Sequence, residues 1–255
     1  MPVEIVTVPC RTDNYAYLIK DSAADEVLLV DAPEAGPILE ALTARRWTLS
    51  TILVTHHHGD HVEAVDALRD RYDCEVIGPR AEASKMPALS REVAEGDSGG
   101  SGDLAWTVLE VPGHTLGHIA YHFPKAGAVF TADSLMALGC GRVFEGTMEM
   151  MHDSLSKLAA LPADTVVYSG HEYTRANARF AATVDPDNPA LQARTARIEE
   201  AREAGRPTAQ VPLKEELETN PFLRPADPAI RNHLGMQDAT DAEVFAEIRR
   251  RKDAF

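Results

Sequence analysis

The chain has 255 residues, 44% of them hydrophobic and 25% charged, with 16 Gly and 16 Pro. This ordinary globular composition excludes collagen-like, mucin-like and disordered chains, and the length predicts one to two domains. The 25 Lys and Arg against 40 Asp and Glu leave a formal charge of −15, the wrong sign for a protein that grips a nucleic-acid backbone over a broad surface. A small anionic ligand stays open if basic residues gather locally. No apolar run approaches the ~18 residues of a membrane span, and the opening MPVEIVTVPCRTDNY has no secretory pattern. Three scattered cysteines, Cys10, Cys74 and Cys140, predict reduced thiols and a cytoplasmic setting rather than a disulfide framework.

In chain order, VEIVTV from Val3, YAYLI from Tyr15 and EVLLVDA from Glu26 read as strands, being β-branched and aromatic runs between polar turns. Pro37 to Arg46 has helical spacing, Thr51 to Thr55 is a short apolar strand, and Val62 to Tyr72 returns to helix. A strand from Cys74, a Gly/Ser turn over 96–103 and the strand LAWTVLEV follow, then IAYHF from Ile119, AVFTAD from Ala128, a helix over 148–161 and TVVYSG from Thr165. Mostly strands with some crossing helices predict two packed sheets flanked by helices. Beyond His171 the texture is helical, over 173–184, 189–204, 227–234 and 242–252, with DPDNP and GRPTAQVP as loops and no convincing strand. The expected boundary falls at about residue 172.

Chemistry concentrates in Thr55-His56-His57-His58-Gly59-Asp60-His61, directly after an apolar strand and before a helix. Alternation along an extended segment points His56 and His58 to one side and His57 away, toward packing or solvent. Imidazole and carboxylate suit zinc, iron or manganese, and the lack of a neighbouring thiolate argues against a structural cysteine-type zinc site. The bland alternative is a polar loop with chance histidines, which ten histidines in the chain make a poor explanation. Further donors stand after apolar strands: His114 in GHTLGH, Asp133 closing AVFTAD, and His171 in YSGHEY. His118 and His122 read as packing or hydrogen-bond partners, His152 and His233 as helix residues without a direct role, and Met148, Met150 and Met151 as gap fillers. Asp31, closing the strand EVLLVD, reads on its own as a turn residue.

With these segments in view the chain resembles the metallo-β-lactamase-fold hydrolases. PCRTDNYAYLI, CGRVFEG, YSGHEYT, NPFLR and RRRKDAF narrow the resemblance to the hydroxyacylglutathione hydrolase (glyoxalase II) family over nearly the whole chain. It implies an αββα metallo-β-lactamase-like sandwich over residues 1–172, followed by a smaller all-helical substrate-binding domain over 173–255. It implies two divalent metal ions, zinc foremost with iron or manganese as alternatives. His56, His58 and His114 would hold the first, Asp60, His61 and His171 the second, and Asp133 both. The resemblance offers Asp31 equally as a support for the metal loop. Asp60 and Asp133 would be the catalytic carboxylates beside a hydroxide that bridges the metals and attacks a thioester.

The implied substrate is a 2-hydroxyacyl-glutathione such as lactoylglutathione. Arg249 and Lys252 share a face of the last predicted helix; taken alone they would merely complement its dipole, but the resemblance assigns them to the glycine carboxylate. Arg142 stands where the family has a basic residue contacting the same ligand, and Tyr173 where it has a tyrosine at the peptide portion. Phe144 departs from the family, standing where an aromatic with a hydroxyl is usual, which removes one hydrogen bond worth about 0.5–1.5 kcal/mol. The partner is expected to be this small molecule, with no nucleic acid and no membrane, on a monomer. Competing readings on the same fold are a mononuclear-iron persulfide dioxygenase, a nucleic-acid-processing protein and a non-catalytic metal module.

Overall fold

The computed structural model describes residues 3–21 and 26–255. It divides into two compact units, residues 1–110 with 117–130, and residues 111–116 with 131–255. Among the described residues no helix is long and apolar enough to cross a membrane.

In the first unit, β1 (Glu4–Cys10), β2 (Asn14–Lys20), β3 (Val27–Val30), β4 (Thr51–Leu53), β5 (Glu75–Pro79) and β6 (Arg91–Val93) form one sheet in chain order. The first two pairings are antiparallel. From β3 onward the strands run parallel, because helices make the crossings: α1 (Ala35–Arg45) before β4, then α2 (Gly59–Val62) and α3 (Val65–Tyr72) before β5. β3 and β4 are buried at every position, as parallel strands covered on both faces must be. Ile38 and Leu42 of α1 and Val65 and Leu68 of α3 close one face, against Leu18, Leu29, Ile52 and Val76.

A second, antiparallel sheet runs β7 (Ser98–Gly99), β8 (Trp106–Glu110), β9 (Ile119–Phe123) and β10 (Ala128–Ala132). The Tyr121 hydroxyl on β9 donates to the carbonyls of Val54 and Ile77 at 3.1 and 3.2 Å, tying the two sheets together. Tyr17 meets Phe130 across the same layer at 5.4 Å. The Gly/Ser turn over 96–103 thus holds a short strand that sequence reading passes over. Gly99 is there because a Cβ would sit 2.3 Å from the Trp106 ring, so its role is close approach rather than turning.

In the second unit, the β11–β12 hairpin (Leu135–Met136 and Gly139–Cys140) follows β10. After α4 (Met148–Ala159), β13 (Val166–Ser169) pairs with β14 (Gln210–Pro212). Then α5 (Thr174–Val184), α6 (Pro189–Glu203), α7 (Leu213–Thr219), α8 (Pro228–Leu234) and α9 (Asp241–Ala254) complete the chain. β14 corrects the expectation that no strand lies beyond His171, and α7 was not foreseen. The sequence reads as loop there because three residues ending in Pro212 offer no alternation to detect; Val211 opposite Val167 supplies the pairing.

Helix starts follow local chemistry. The Asn188 side chain caps α6 through Ala190 and Leu191 N–H, with Pro189 in the first turn. Thr240 and Glu243 form a reciprocal capping box at α9. The unit's interior also holds an ion pair between Arg194 and Glu216, side chains 3% and 0% exposed, that braces the hairpin. Glu216 accepts from Leu138 N–H at 3.0 Å and from Asn220 Nδ2 at 2.8 Å. Asn220 donates in turn to the carbonyls of Met136 and Gly139.

Candidate metal centre

The first unit gathers His56, His58, Asp60 and His61. The chain leaves β4 without regular structure over 54–58, with His58 itself extended, and turns into α2, where the His61 N–H reaches the His58 carbonyl at 2.9 Å. His56 Nε2 lies 3.2 Å from His58 Nδ1, and His61 Nε2 lies 3.9 Å from Asp60 Oδ2. Asp31, at the end of the neighbouring parallel strand and in the left-handed region at φ 56°, sets their orientation. Its buried carboxylate accepts from Thr55 N–H at 2.9 Å, from the Thr55 hydroxyl at 2.9 Å and from His61 Nδ1 at 2.7 Å. The Thr55 hydroxyl therefore gives its proton to Asp31 and accepts from His56 Nδ1 at 3.0 Å. Both imidazoles are fixed as tautomers whose Nε2 is the basic nitrogen, the arrangement that metal-binding histidines require.

Around this group, the Asn14 amide donates to Asp60 Oδ2 at 3.0 Å and to its carbonyl at 3.1 Å. His118 is fully buried and stacked on His56 at 4.5 Å. His57 turns the other way, its N–H and Nδ1 both donating to Glu82. Burial lowers the pKa of His122. Asp31, read in the sequence as evenly a turn residue or a support, makes the bonds of a support.

The second unit gathers His114, Asp133 and His171. Asp133 follows β10 and His171 follows β13, neighbours through Gly170 N–H to the Ala132 carbonyl at 3.0 Å. Asp133 Oδ2 lies 3.3 Å from Nε2 of His114 and 3.3 Å from Nε2 of His171. His114 Nδ1 donates to the Arg142 carbonyl at 2.8 Å, again leaving Nε2 as the basic nitrogen. Gly141 is obligatory here, because a Cβ would fall 1.9 Å from the Asp133 carbonyl oxygen.

His114 and Asp133 also line a cavity of about 590 Å³ that contains Arg142, Phe144, Tyr173, Arg249 and Lys252. Its basic residues differ in kind. Arg249 is 3% exposed, donates to the Cys140 carbonyl at 2.8 Å and Asp253 at 3.0 Å, and lies over the Phe222 ring. Arg142 is exposed along most of its side chain. Lys252 is half-buried between the Phe180 and Phe255 rings. Burial, then the charges of Arg249 and Arg142, lower its pKa to about 8. Tyr173 stacks parallel on His171 at 4.8 Å, and Phe144 meets His114 at 5.3 Å. The Cys140 thiol, pushed up to about 11 chiefly by burial, stays protonated.

The described residues thus include His and Asp groups placed to bind metal, with nitrogen and oxygen donors and a remote N–H anchored on protein at His56, His61 and His114. That donor chemistry fits a divalent cation of the zinc, iron or manganese type. His152 sits in α4 beside Phe245, and His233 in α8 meets the Thr183 carbonyl. Sequence reading misses Asn14 and Glu82, whose partners lie far along the chain, and Asp253, which bonds Arg249 one helical turn away and faces the distant Arg142.

Comparison with known proteins sets these groups in a class. The family model of the metallo-β-lactamase superfamily matches residues 11–171. The crystal structure of ETHE1 from Myxococcus xanthus superposes with a TM-score of 0.68 at 28% identity, covering 98% of this chain and 90% of that one. The model described as hydroxyacylglutathione hydrolase C-terminus matches residues 172–255. Hydroxyacylglutathione hydrolases from Ruegeria pomeroyi and Cereibacter sphaeroides are 61% and 58% identical over the full length of both chains. The chain belongs to the hydroxyacylglutathione hydrolase family.

Proposed function

We propose that the protein hydrolyses the thioester of a 2-hydroxyacyl-glutathione, such as lactoylglutathione, to the hydroxy acid and glutathione. One observation carries this reading: His114 and Asp133 line the same cavity as Arg142, Lys252 and Tyr173, so metal donors and cations for an anionic ligand meet in one chamber. In this reading His56, His58 and His114 hold a first divalent ion, Asp60, His61 and His171 a second, and Asp133 both. Zinc is the first choice, with iron or manganese as alternatives. Such ions supply an activated water and polarise a carbonyl.

The chain's own residues do the rest. Asp31, through Thr55 and His61, and the Arg142 carbonyl, through His114, hold the imidazoles in the ligating tautomer. Arg142 and Lys252 attract the glycine carboxylate, with Arg249 held behind them on the Cys140 carbonyl. Tyr173 faces the peptide portion, and Phe144 offers that ligand an apolar edge without a hydroxyl. The departing thiol has an ordinary pKa of about 8.5, so the thiolate leaves without a dedicated acid, and the mechanism asks for none.

The same reading divides the chain into a catalytic domain over 1–172 and a substrate-binding domain over 173–255, supported by family matches that meet between residues 171 and 172. It takes the protein as a cytoplasmic monomer that engages neither nucleic acid nor membrane, in keeping with its charge of −15 and its buried free thiols. Elemental analysis and lactoylglutathione hydrolysis on one purified sample test it. About two divalent ions per chain with hydrolysis support it. A single iron without thioester hydrolysis overturns it in favour of oxygenase chemistry, and low-salt nuclease activity overturns the substrate class.

A further inference from the structure

Glu82 stands in a 3-10 turn (Arg80–Lys85) after β5, with 1% of its surface exposed. A carboxylate so buried is costly unless its oxygens are bonded, and three N–H groups converge on this one. Oε2 accepts from the His57 backbone N–H at 2.8 Å and from His57 Nδ1 at 2.9 Å. Oε1 accepts from the Gly117 N–H at 2.9 Å. The His57 nitrogen belongs to the peptide that joins it to His56, and the next residue is His58. One carboxylate therefore fixes both the peptide plane between two imidazoles and the ring that points away from them.

A separate observation concerns the second glycine of GHTLGH. A Cβ at Gly117 would lie 2.6 Å from Glu82 Cγ and 2.8 Å from Ala81 Cβ. Only a residue without a side chain lets the carboxylate reach the loop. That motif glycine and the odd histidine of HHHGDH, both left over once the ligands are assigned, are thus two ends of one device.

We propose that Glu82 is a positioning residue for the His56–His58 pair, holding the His57 peptide and ring in place so that the imidazoles on either side face a metal ion without rearrangement. The inference rests on the reading of His56 and His58 as metal ligands. In Glu82→Gln, one oxygen must serve donors that two oxygens serve now, and the new amide sets donor against donor.

The test is zinc release from the zinc-loaded full-length protein to a chromophoric chelator, below the melting temperature. Groups that orient metal ligands typically contribute about 10–100-fold to affinity, so Glu82→Gln is expected to release zinc about tenfold faster, with kcat reduced and KM for the thioester unchanged. Gly117→Ala, which keeps the carboxylate but displaces it, should shift release the same way. His57→Ala, which removes only the ring bond, should shift it by about threefold, and the latter two carry the test if Glu82→Gln does not fold. Release at the wild-type rate in the folded variants, even with a lowered melting temperature, overturns the proposal. A wild type that retains no zinc overturns instead the ligand reading beneath it.

Discussion

Lys252 offers the sharpest test of how the cavity binds its ligand. Burial, then the nearby charges of Arg249 and Arg142, disfavour its ammonium, and Asp253 only partly opposes them, so its pKa lies at about 8. The charge is present below that value and lost as the pH rises through it. About nine in ten molecules carry it at pH 7 and about one in ten at pH 9, so a ligand carboxylate that needs the ammonium should see KM rise up to about tenfold over that interval. Solvent screening of a half-buried group brings the expected factor to about three to ten.

The assay is KM for lactoylglutathione between pH 6.5 and 9.5 in wild type, Lys252→Met and Lys252→Arg. The methionine variant should start with a raised KM and lose the rise above pH 8. The arginine variant, charged throughout, should stay flat. The substrate's own amino group titrates equally in all three, so the differences isolate the side chain. Cys140, held at about 11, and His122, lowered by burial, do not titrate in the window of the rise. A wild-type KM that is flat from pH 7 to 9, or a rise that survives in Lys252→Met, refutes the reasoning.

Three other outcomes are expected. Asp31→Asn turns an amide donor toward the Thr55 N–H or His61 Nδ1 in a buried site and should cost about 2–3 kcal/mol in urea denaturation; a change below about 0.5 kcal/mol would show that the carboxylate does not brace the loop. Glu216→Gln removes the buried charge partner of the Arg194 guanidinium, leaving it only the Glu215 carboxylate at 3.7 Å, and should cost about 1.5–3 kcal/mol, read from the same measurement. Phe144→Tyr restores a hydroxyl at the cavity edge and should lower KM for the glutathione thioester two- to tenfold at constant kcat, by about 0.5–1.5 kcal/mol of binding; an unchanged KM would remove Phe144 from the contact.

What the sequence made legible was local. HHHGDH after an apolar strand, and single donors after three other strands, needed only strand alternation and strand ends to stand out. Arg249 and Lys252 were found by helical spacing, yet spacing could not distinguish a guanidinium buried on the Cys140 carbonyl, 109 residues away in sequence, from an ammonium half in solvent. Glu82 was invisible for the same reason: a lone glutamate between alanines carries no signal until Gly117 and His57 arrive beside it. β14 and β7 were missed because strands of three and two residues exist through their partners, not through their own composition.

Charge shows the same division between chain-wide and local properties. A net −15 opposes any long polyanion, which must lie across much of the surface to bind. A small anion is governed by charges within a Debye length, about 8 Å at physiological salt, and there the cavity sets Arg142, Arg249 and Lys252 on its wall. Asp253, 3.0 Å from Arg249 and 3.8 Å from Arg142, is the carboxylate that faces these cations, and it draws Arg249 back into the protein. The outer cations, Arg142 and Lys252, are left to meet an incoming carboxylate. An acidic protein can therefore take an acidic substrate without a basic surface, provided the cations are few, close together and partly desolvated. The lowered pKa of Lys252 is the cost of that crowding, which is why pH, rather than salt, should be the condition that most sharply controls the affinity of this cavity for its substrate.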